Sequence, residues 1–410
     1  MPSTRNARYI DVLTLPQVPL TFLSALVGRS AYALVILPLL FAVQATTGSV
    51  ATAGIAVAAY GVTASFLAPL RAQLIDRQGR RPVLFLLSVA FGGALVALAI
   101  GAFAAWSGAL MVVMAGLAGA VAPPLGPAMR VAWTELAREP VVLRKALSFD
   151  AVVEELLYLV GPALAGFALV VIEPGFVLLV PAALVVLGTG LFVTSPAIRH
   201  APRAHAVDNA TSGRSAVRGP TLLGNSHFVG LLLPALVAGL VSGNLTIAIP
   251  AAFPGTGGAA AAGVVLGLFA AGSAAGGLVF GAIKVPGRAR FQVIAIAVIL
   301  VMLSSMIGLT GNAAWTTVMV VAAGAFFSPV MIVAYFASTD FGGDRRKTES
   351  TTWVNTSHNI GAAAGSALAG IVIQNAGVAA SYLATGGMAL LLLAGAAVLA
   401  TRRSETLARH

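Results

Sequence analysis

The chain has 410 residues, of which 59% are hydrophobic and only 9% are charged. A soluble fold of this composition would have too few polar side chains to cover its surface, so we expect lipid to be its main solvent. The net charge of +11 does not favour nucleic acid as a partner, because the basic residues lie in short clusters between long apolar runs. The absence of Cys excludes a disulfide framework, a thiol nucleophile and a Cys metal site.

Twelve apolar runs reach the length of about 20 residues that a membrane-spanning helix needs. Arg5 and Arg8 precede the first run, which is longer than a signal-peptide core and carries Arg29 at its middle, so we interpret it as a retained span. The predicted spans are Val18 to Val43, Val50 to Ala72, Val83 to Ala104, Ala109 to Ala132, Ser148 to Ile172, Phe176 to Val193, Phe228 to Pro250, Ala259 to Ala282, Phe291 to Leu309, Ala314 to Phe336, Thr348 to Ile373 and Val378 to Ala400.

The basic residues fill the N-terminus and every second connection between these runs. A Lys and Arg excess marks cytoplasmic loops, so the alternation predicts that both termini are cytoplasmic and that the protein lies in the cell inner membrane. The basic connections are Arg71 to Arg81, Arg138 to Lys145, Arg199 to Arg218, Lys284 to Arg290 and Arg345 to Lys347, followed by Arg402, Arg403 and Arg409. The other connections, around Thr47, Ser107, Glu173, Gly255, Asn312 and Gly377, contain no basic residue.

A polar stretch over residues 195–226 is rich in Pro, Ser, Arg and His and has no apolar periodicity, which is typical of a linker. It divides the chain into two six-helix domains, residues 1–194 and 227–410. The segment Gly161 to Gly166 in the fifth run differs at one position from Gly365 to Gly370 in the eleventh. Matches at a similar offset in other corresponding runs indicate two homologous halves. The predicted fold class is therefore an all-α membrane protein of twelve helices in two pseudo-symmetric bundles.

The connection after the second run carries a sequence signature, Ala72-Gln-Leu-Ile-Asp76-Arg77-Gln-Gly79-Arg80-Arg81. It resembles the cytoplasmic signature of the major facilitator superfamily, with Ala72 where that family usually has Gly. Gly161-Pro162 and the glycines up to Gly166 resemble the Gly-Pro motif of the drug:proton antiporter branch. The chain is thus similar to the twelve-span major facilitator efflux proteins of the actinobacterial type.

The resemblance implies a binding site between the halves and transport by alternating access. It also implies that the signature loop closes the cytoplasmic side as a latch. We expect Asp76 to face the start of the eleventh span near Thr348, and Arg80 to face Glu135, with Gly79 and Arg81 completing the latch.

Arg29 lies near the middle of the first span, where a charge costs roughly 2.5 kcal/mol or more. Tyr32 and Ile36 share its helical face, which we expect to border a cavity. The alternatives for Arg29 are a structural ion pair, an anion site, or a partner for a titrating carboxylate.

Three acidic residues begin the fifth span. Asp150 and Glu154 are four residues apart and share a face, whereas Glu155 points about 100° away from Glu154. We expect Asp150 to lie at the membrane interface, where a carboxylate favours a helix N-terminus. Glu154 and Glu155 lie deeper, and we expect one of them, Glu155 before Glu154, to carry the coupling proton and approach Arg29. Arg130 ends the fourth span and is expected to pair with Glu135 or Glu154.

The strongly polar side chains inside the spans of the second half are candidate substrate ligands, together with Arg29 and Tyr32. Each could equally be an interhelical hydrogen-bonding group. These residues are Asn244, Asn355, His358 and Asn359. Glycines at four-residue spacing in the eighth span (Gly263 to Gly281) and in the eleventh (Gly361 and Gly365) are expected where the halves slide on each other.

The chain contains none of the local motifs of hydrolases, phosphate-binding loops or zinc proteases. We therefore expect no enzyme activity, no metal and no cofactor. The sequence favours a proton-coupled, monomeric exporter of small amphipathic molecules, with protons and membrane lipid as its other partners. The alternatives are an importer or exchanger of an anionic metabolite held by Arg29, and, in a different class, a membrane sensor without transport activity or an integral-membrane enzyme.

Overall fold

The computed structural model describes residues 12, 14–137, 139–199, 222–255, 257–283 and 286–401. Within these ranges the structure consists of helices and short connections, without a strand. Most of the predicted linker, residues 200–221, lies outside the described residues, so the domain boundaries stay a prediction.

Six spans form the first half of the chain, and three of them consist of two helices each. The second span bends by 43° between its two helices, and the fourth is interrupted at residues 122–124. The helices are Val18–Thr47 (first span), Val50–Phe66 with Ala68–Gln78 (second), Arg80–Phe103 (third), Gly108–Val121 with Leu125–Leu136 (fourth), Pro140–Val171 (fifth) and Pro174–Val177 with Leu179–Thr194 (sixth).

The second half begins with three separate spans, Ser226–Ala252, Gly258–Ala282 and Ala289–Met306. The helical segment Ala313–Thr401 carries the rest. Its apolar part Ala313–Ser338 is the tenth span, and Glu349–Thr401 has 53 residues, about 80 Å, which is more than twice the thickness of a bilayer core. Gly377, at a φ of 85°, divides that segment into the eleventh and twelfth spans, 349–376 and 378–401. Twelve spans result, as the sequence predicts.

The connections explain where the helices start. Each of four connections provides a side-chain oxygen that accepts hydrogen bonds from the first free amides of the next helix, which stabilises its N-terminus. The four residues are Ser49, Ser107, Asn225 and Asn312. The apolar side chains then pack into two clusters, one within residues 12–198 together with Ile247 and Ala369, and one within residues 222–393.

The fifth and eighth spans make the first contact between the halves. A Cβ added to Gly263 would lie 2.2 Å from the carbonyl oxygen of Pro162, and one added to Gly267 would lie 2.5 Å from that of Leu159. Because no side chain fits at such distances, only glycine allows the two backbones to approach this closely. A Cβ added to Gly166 would likewise lie 2.2 Å from the carbonyl oxygen of Ala259.

The second and eleventh spans make the other contact. A Cβ on Gly54 would lie 2.6 Å from the carbonyl oxygen of Ser366, and one on Gly370 would lie 2.8 Å from that of Val50. The side-chain oxygen of Gln374 accepts a hydrogen bond from the Val50 amide at 3.0 Å. Two glycines expected at this interface are placed differently: Gly361 and Gly365 pack against the carbonyls of the seventh span, within the second half.

The two halves are therefore closed at one end. The contacts begin near the connections 47–50, 172–174, 252–258 and 373–378 and extend into the spans as far as Leu159 and Gly267. Towards the opposite end, an added Cβ on Gly61 of the second span or Gly281 of the eighth would meet no heavy atom within 4 Å in the described part of the chain. The end that carries Arg80 and Glu135 is the more open one.

Candidate functional site

A buried ion pair joins the first span to the fifth. Arg29 Nη2 donates a hydrogen bond to Asp150 Oδ1 at 2.7 Å, and the two side chains are only 3% and 1% exposed. Arg29 Nη1 lies 3.8 Å from Glu154 Oε2. The face shared by Asp150 and Glu154, four residues apart, thus points at the guanidinium.

Glu154 is shared between two arginines. Its Oε2 accepts a hydrogen bond from Arg130 Nη2 at 2.9 Å, and its side chain is 24% exposed. Arg130 belongs to the second helix of the fourth span, so three spans contribute to the group. We call Arg29, Arg130, Asp150 and Glu154 the charged cluster; its two positive and two negative charges balance.

The position of Asp150 corrects the expectation that this residue lies at the membrane interface. The fifth span begins at Pro140 and not near Ser148, so Asp150 lies in its third turn and faces Arg29. Pro at the first position of a helix is a sequence signal for this start. The expected approach of Glu155 to Arg29 is not tested, because the Glu155 side chain lies outside the described part of the structure.

A cavity of about 160 Å³ opens beside the charged cluster. It is lined by Arg29, Tyr32 and Glu154, and by the interruption of the fourth span at Pro123 and Pro124. The Tyr32 hydroxyl donates a hydrogen bond to the Pro123 carbonyl. The face of the first span that carries Arg29 and Tyr32 therefore borders a cavity, as the sequence predicts.

A second cavity, of about 180 Å³, lies between the halves. Ile36 and Tyr60 line it from the first half, and Ser242, Thr246 and Asn359 from the second. All of these side chains are uncharged. Charged side chains therefore line the first cavity, and uncharged side chains line the second.

His358 and Asn359 are neighbours on the eleventh span. His358 Nδ1 lies 3.3 Å from Asn359 Oδ1, and its ring packs edge-on against Phe327. The buried His358 Nε2 has no hydrogen-bond partner among the described residues. Asn355, one turn earlier, is exposed, and its Oδ1 lies 3.5 Å from the Tyr335 hydroxyl. Asn355 and Asn359 thus remain candidates for ligand contact.

Asn244 is placed away from both cavities. Its side chain is 2% exposed and donates hydrogen bonds to the Ser381 carbonyl at 3.2 Å and to the Thr385 hydroxyl at 2.9 Å. These bonds tie the seventh span to the twelfth. Asn244 was expected to contact substrate, but in this structure it forms interhelical hydrogen bonds. This is the common role of Asn within a membrane.

The signature loop makes contacts within the first half. Gly79 has a φ of 96°, which favours glycine, and turns the chain between the second and third spans. Arg80 bonds both carboxylate oxygens of Glu135, at 3.1 and 3.3 Å, and Arg81 Nε donates to the Val193 carbonyl at 3.0 Å. The Arg80 contact is the expected one, but it joins the third and fourth spans of one half. The side chains of Asp76 and Thr348 lie outside the described residues.

Arg71 is a buried residue whose position the sequence did not reveal, because it stands with the basic residues of the loop. It is 7% exposed and donates hydrogen bonds to the carbonyls of Ala64, Gly119 and Ala120. The signal that could have identified it is Pro123-Pro124 in the fourth span, which leaves carbonyl groups in need of a donor.

No group of three or more His, Asp or Glu side chains in the described residues is arranged to hold a metal ion. The chemistry of the site is thus that of an ion-pair network beside a cavity in a bundle of apolar helices, buried at Arg29 and Asp150 and partly exposed at Arg130 and Glu154. These features define a polytopic α-helical membrane protein with a charged site inside its helix bundle.

Comparison with known families agrees with this class. The model of the Major Facilitator Superfamily matches residues 20–250, more than half of the chain, and the protein belongs to this family. No curated protein sequence matches the chain.

Solved structures share the fold at low sequence identity. The nucleoside transporter NupG superposes with a TM-score of 0.74 at 13% identity, covering 95% of this chain and 100% of that one. A bacterial homologue of the iron transporter ferroportin in an inward-facing state gives 0.73 at 12% identity, with coverages of 94% and 99%. A D-xylose-proton symporter gives 0.68 at 14%, with coverages of 95% and 97%.

Proposed function

We propose that this member of the family is a proton-coupled secondary transporter that exports small amphipathic molecules by alternating access. The family and the fold support transport across a membrane. The charged cluster, balanced in charge and placed beside a cavity, is the single observation that supports proton coupling.

Protonation of a carboxyl group in the cluster would change its balance of charge. With both carboxylates ionised, two negative charges offset Arg29 and Arg130. A proton on Glu154 would remove one of them and leave a net positive charge, which is costly within a membrane unless water or a ligand compensates it. Proton binding would thus alter both the substrate site and the conformational equilibrium.

Glu154 is the better placed of the two described carboxylates for proton exchange. It lines the cavity and is 24% exposed, whereas Asp150 is 1% exposed and holds Arg29 at 2.7 Å. Asp150 would then fix the arginine while Glu154 exchanges the proton. This modifies the expectation from the sequence, which placed Glu155 before Glu154.

The alternative, an importer or exchanger that binds an anionic metabolite through Arg29, has less support. The guanidinium is 3% exposed and already paired, so an anion would have to displace Asp150 or approach the Arg29 nitrogens Nε and Nη1, which are buried without a hydrogen bond. Binding of an anion would also leave a buried carboxylate uncompensated.

The basic residues support a membrane orientation with the signature loop in the cytoplasm and both termini on the same side. In that orientation the closed end of the molecule faces outward and the open end faces the cytoplasm. The structure would then correspond to an inward-facing state, in which Glu154 meets the cytoplasmic solution.

The test is transport in proteoliposomes with an imposed pH gradient, over a panel of amphipathic fluorescent dyes that includes ethidium. We expect Glu154→Gln to abolish dye accumulation against a gradient, while dye binding remains measurable and nearly independent of pH. Glu155→Gln is the matched control and should keep at least partial accumulation.

Three results would contradict the proposal. Loss of accumulation in Glu155→Gln alone would show that Glu155, and not Glu154, carries the coupling proton. If both variants still accumulate dye, neither carboxylate is the proton-coupling site, and His358 becomes the candidate. Wild-type protein that accumulates no dye under any gradient would rule out export of this class of molecule.

A further inference from the structure

Arg71 stands at the two interruptions of the first half. It belongs to the second helix of the second span, and its guanidinium reaches the last turn of the preceding helix, Val50–Phe66, at the Ala64 carbonyl. The other two acceptors, Gly119 and Ala120, end the first helix of the fourth span. One side chain therefore binds the carbonyl ends of two broken helices.

The sequence explains why these carbonyls are free. In a continuous helix the carbonyls of Gly119 and Ala120 would accept hydrogen bonds from the amides of residues 123 and 124. Both of those residues are proline, which has no amide hydrogen. The Ala122 amide donates a long hydrogen bond, 3.3 Å, to the Gly119 carbonyl. Arg71 Nη1 replaces the missing donors at 3.0 and 2.9 Å.

The interruption places the next helix against the charged cluster. The helix Leu125–Leu136 begins directly after the two prolines, and a Cβ added to Gly126, in its first turn, would lie 3.5 Å from Glu154 Oε1. Arg130, one turn further on, holds the same carboxylate at 2.9 Å. The first turn of this helix and Arg130 therefore both lie against the Glu154 carboxylate.

We propose that Arg71 is a positioning residue for the charged cluster: it holds the interruption of the fourth span open, so that the helix Leu125–Leu136 presents its N-terminus and Arg130 to Glu154. This inference rests on the proposed function only for its consequence for coupling. The structural part, that Arg71 maintains the interruption, is independent of it.

The first measurement is the distance between the two helices of the fourth span. Since the chain has no Cys, spin labels can be attached to single Cys residues placed at the exposed positions Leu117 and Thr134. Arg71→Met should broaden and shift the distance distribution relative to the wild type. Arg288→Met, which removes an exposed arginine at the start of the ninth span, should leave the distribution unchanged.

The second measurement separates positioning from stability. In the triple variant Arg71→Met/Pro123→Ala/Pro124→Ala, the new amides can bond the Gly119 and Ala120 carbonyls, so that the fourth span becomes continuous. The labelled positions would then approach the separation of 17 residues in a straight helix, about 26 Å. We expect this variant to recover thermal stability relative to Arg71→Met.

The third measurement is the coupling ratio, which compares dye accumulation driven by a pH gradient with dye exchange in its absence. Ethidium, or another dye of the panel that the wild type accumulates, is the probe. Arg71→Met and the triple variant should both lose most of the accumulation while keeping exchange. A residue with a merely structural role would lower both activities together.

Each other result overturns the inference. An unchanged distance distribution in Arg71→Met shows that Arg71 does not maintain the interruption. An equal loss of accumulation and exchange, or recovery of the coupling ratio in the triple variant, shows that the interruption is not needed for coupling. If Arg71→Met does not fold, Arg71→Gln, whose side chain is shorter and uncharged, replaces it in the distance and coupling measurements. If the wild type shows no proton-driven accumulation, the proposed function fails, and the distance measurement still decides the structural part.

Discussion

Replacement of Arg29 offers the sharpest test of the buried ion pair. Arg29 and Asp150 are 3% and 1% exposed and 2.7 Å apart, so Arg29→Met would leave a carboxylate without its partner in a nearly water-free position. Two unit charges about 4 Å apart attract by about 4 kcal/mol at an effective dielectric constant of about 20. Loss of one partner of a buried pair costs about 3–5 kcal/mol. We therefore expect Arg29→Met to destabilise the protein by this amount.

The double variant Arg29→Met/Asp150→Asn removes both charges and leaves the Arg130–Glu154 pair intact. Replacement of a whole buried ion pair by neutral groups is often close to neutral. The double variant should therefore recover most of the stability that Arg29→Met loses. The coupling energy in this mutant cycle measures the interaction directly, because the two residues are in contact.

The assay is unfolding in mixed micelles with increasing dodecyl sulfate, followed by the fluorescence of the four Trp residues of the chain. Arg29→Met/Glu155→Gln is the matched control, since it removes the same number of charges but retains Asp150. Equal destabilisation of Arg29→Met and its double variant with Asp150 would refute the reasoning. So would a recovery of stability by Glu155→Gln in place of Asp150→Asn.

Three further predictions concern topology, the interface and the signature loop. Gly166→Leu should disfavour the state in which the fifth and eighth spans are in contact, since an added Cβ would lie 2.2 Å from the Ala259 carbonyl. Spin-label distances across that closed end of the molecule measure the shift, with Gly281→Ala as the control. Asp76→Asn should fold normally but transport more slowly, and unchanged transport would reduce the signature loop to a topological signal. Single introduced Cys residues should react with an impermeant label from outside intact cells at Thr47, Ser107 and Asn312, and protection of any of them would contradict the proposed orientation.

The number of spans was predictable because the membrane imposes a simple length requirement. A run of about 20 apolar residues identifies a span independently of how that span packs against other helices. Hydropathy does not indicate where the backbone breaks, and the interruptions of the second and fourth spans were therefore not predicted. The prolines at 123 and 124 were visible in the sequence, but they occur within an apolar run, and prolines are tolerated in membrane helices when another group satisfies the freed carbonyls. That group is Arg71, and only the fold brings it there.

The candidate site was predictable in its residue types and less so in its pairing. Arg29 was identified because a charge at the middle of a span needs compensation, and the acidic residues of the fifth span were its natural partners. The choice among Asp150, Glu154 and Glu155 depended on where the fifth helix begins. Since it begins at Pro140, Asp150 is carried into the bundle and becomes the partner at 2.7 Å. The sequence did not distinguish Asn244 from a substrate-binding residue, because the twelfth span that accepts its hydrogen bond is far away in the chain.

The fifth span connects the charged cluster with the contact between the two halves. It carries Asp150 and Glu154 on the side of Arg29, and about two turns later its Leu159 and Pro162 carbonyls lie directly against the glycines of the eighth span. The proposed alternating access would require these halves to separate at the closed end, and a packed interface changes between discrete arrangements rather than deforming gradually. A change in the attraction between Arg29 and the two carboxylates acts on the same helix that forms the interface. Under the proposed function, protonation of Glu154 would therefore act on the same helix that forms the contact between the halves.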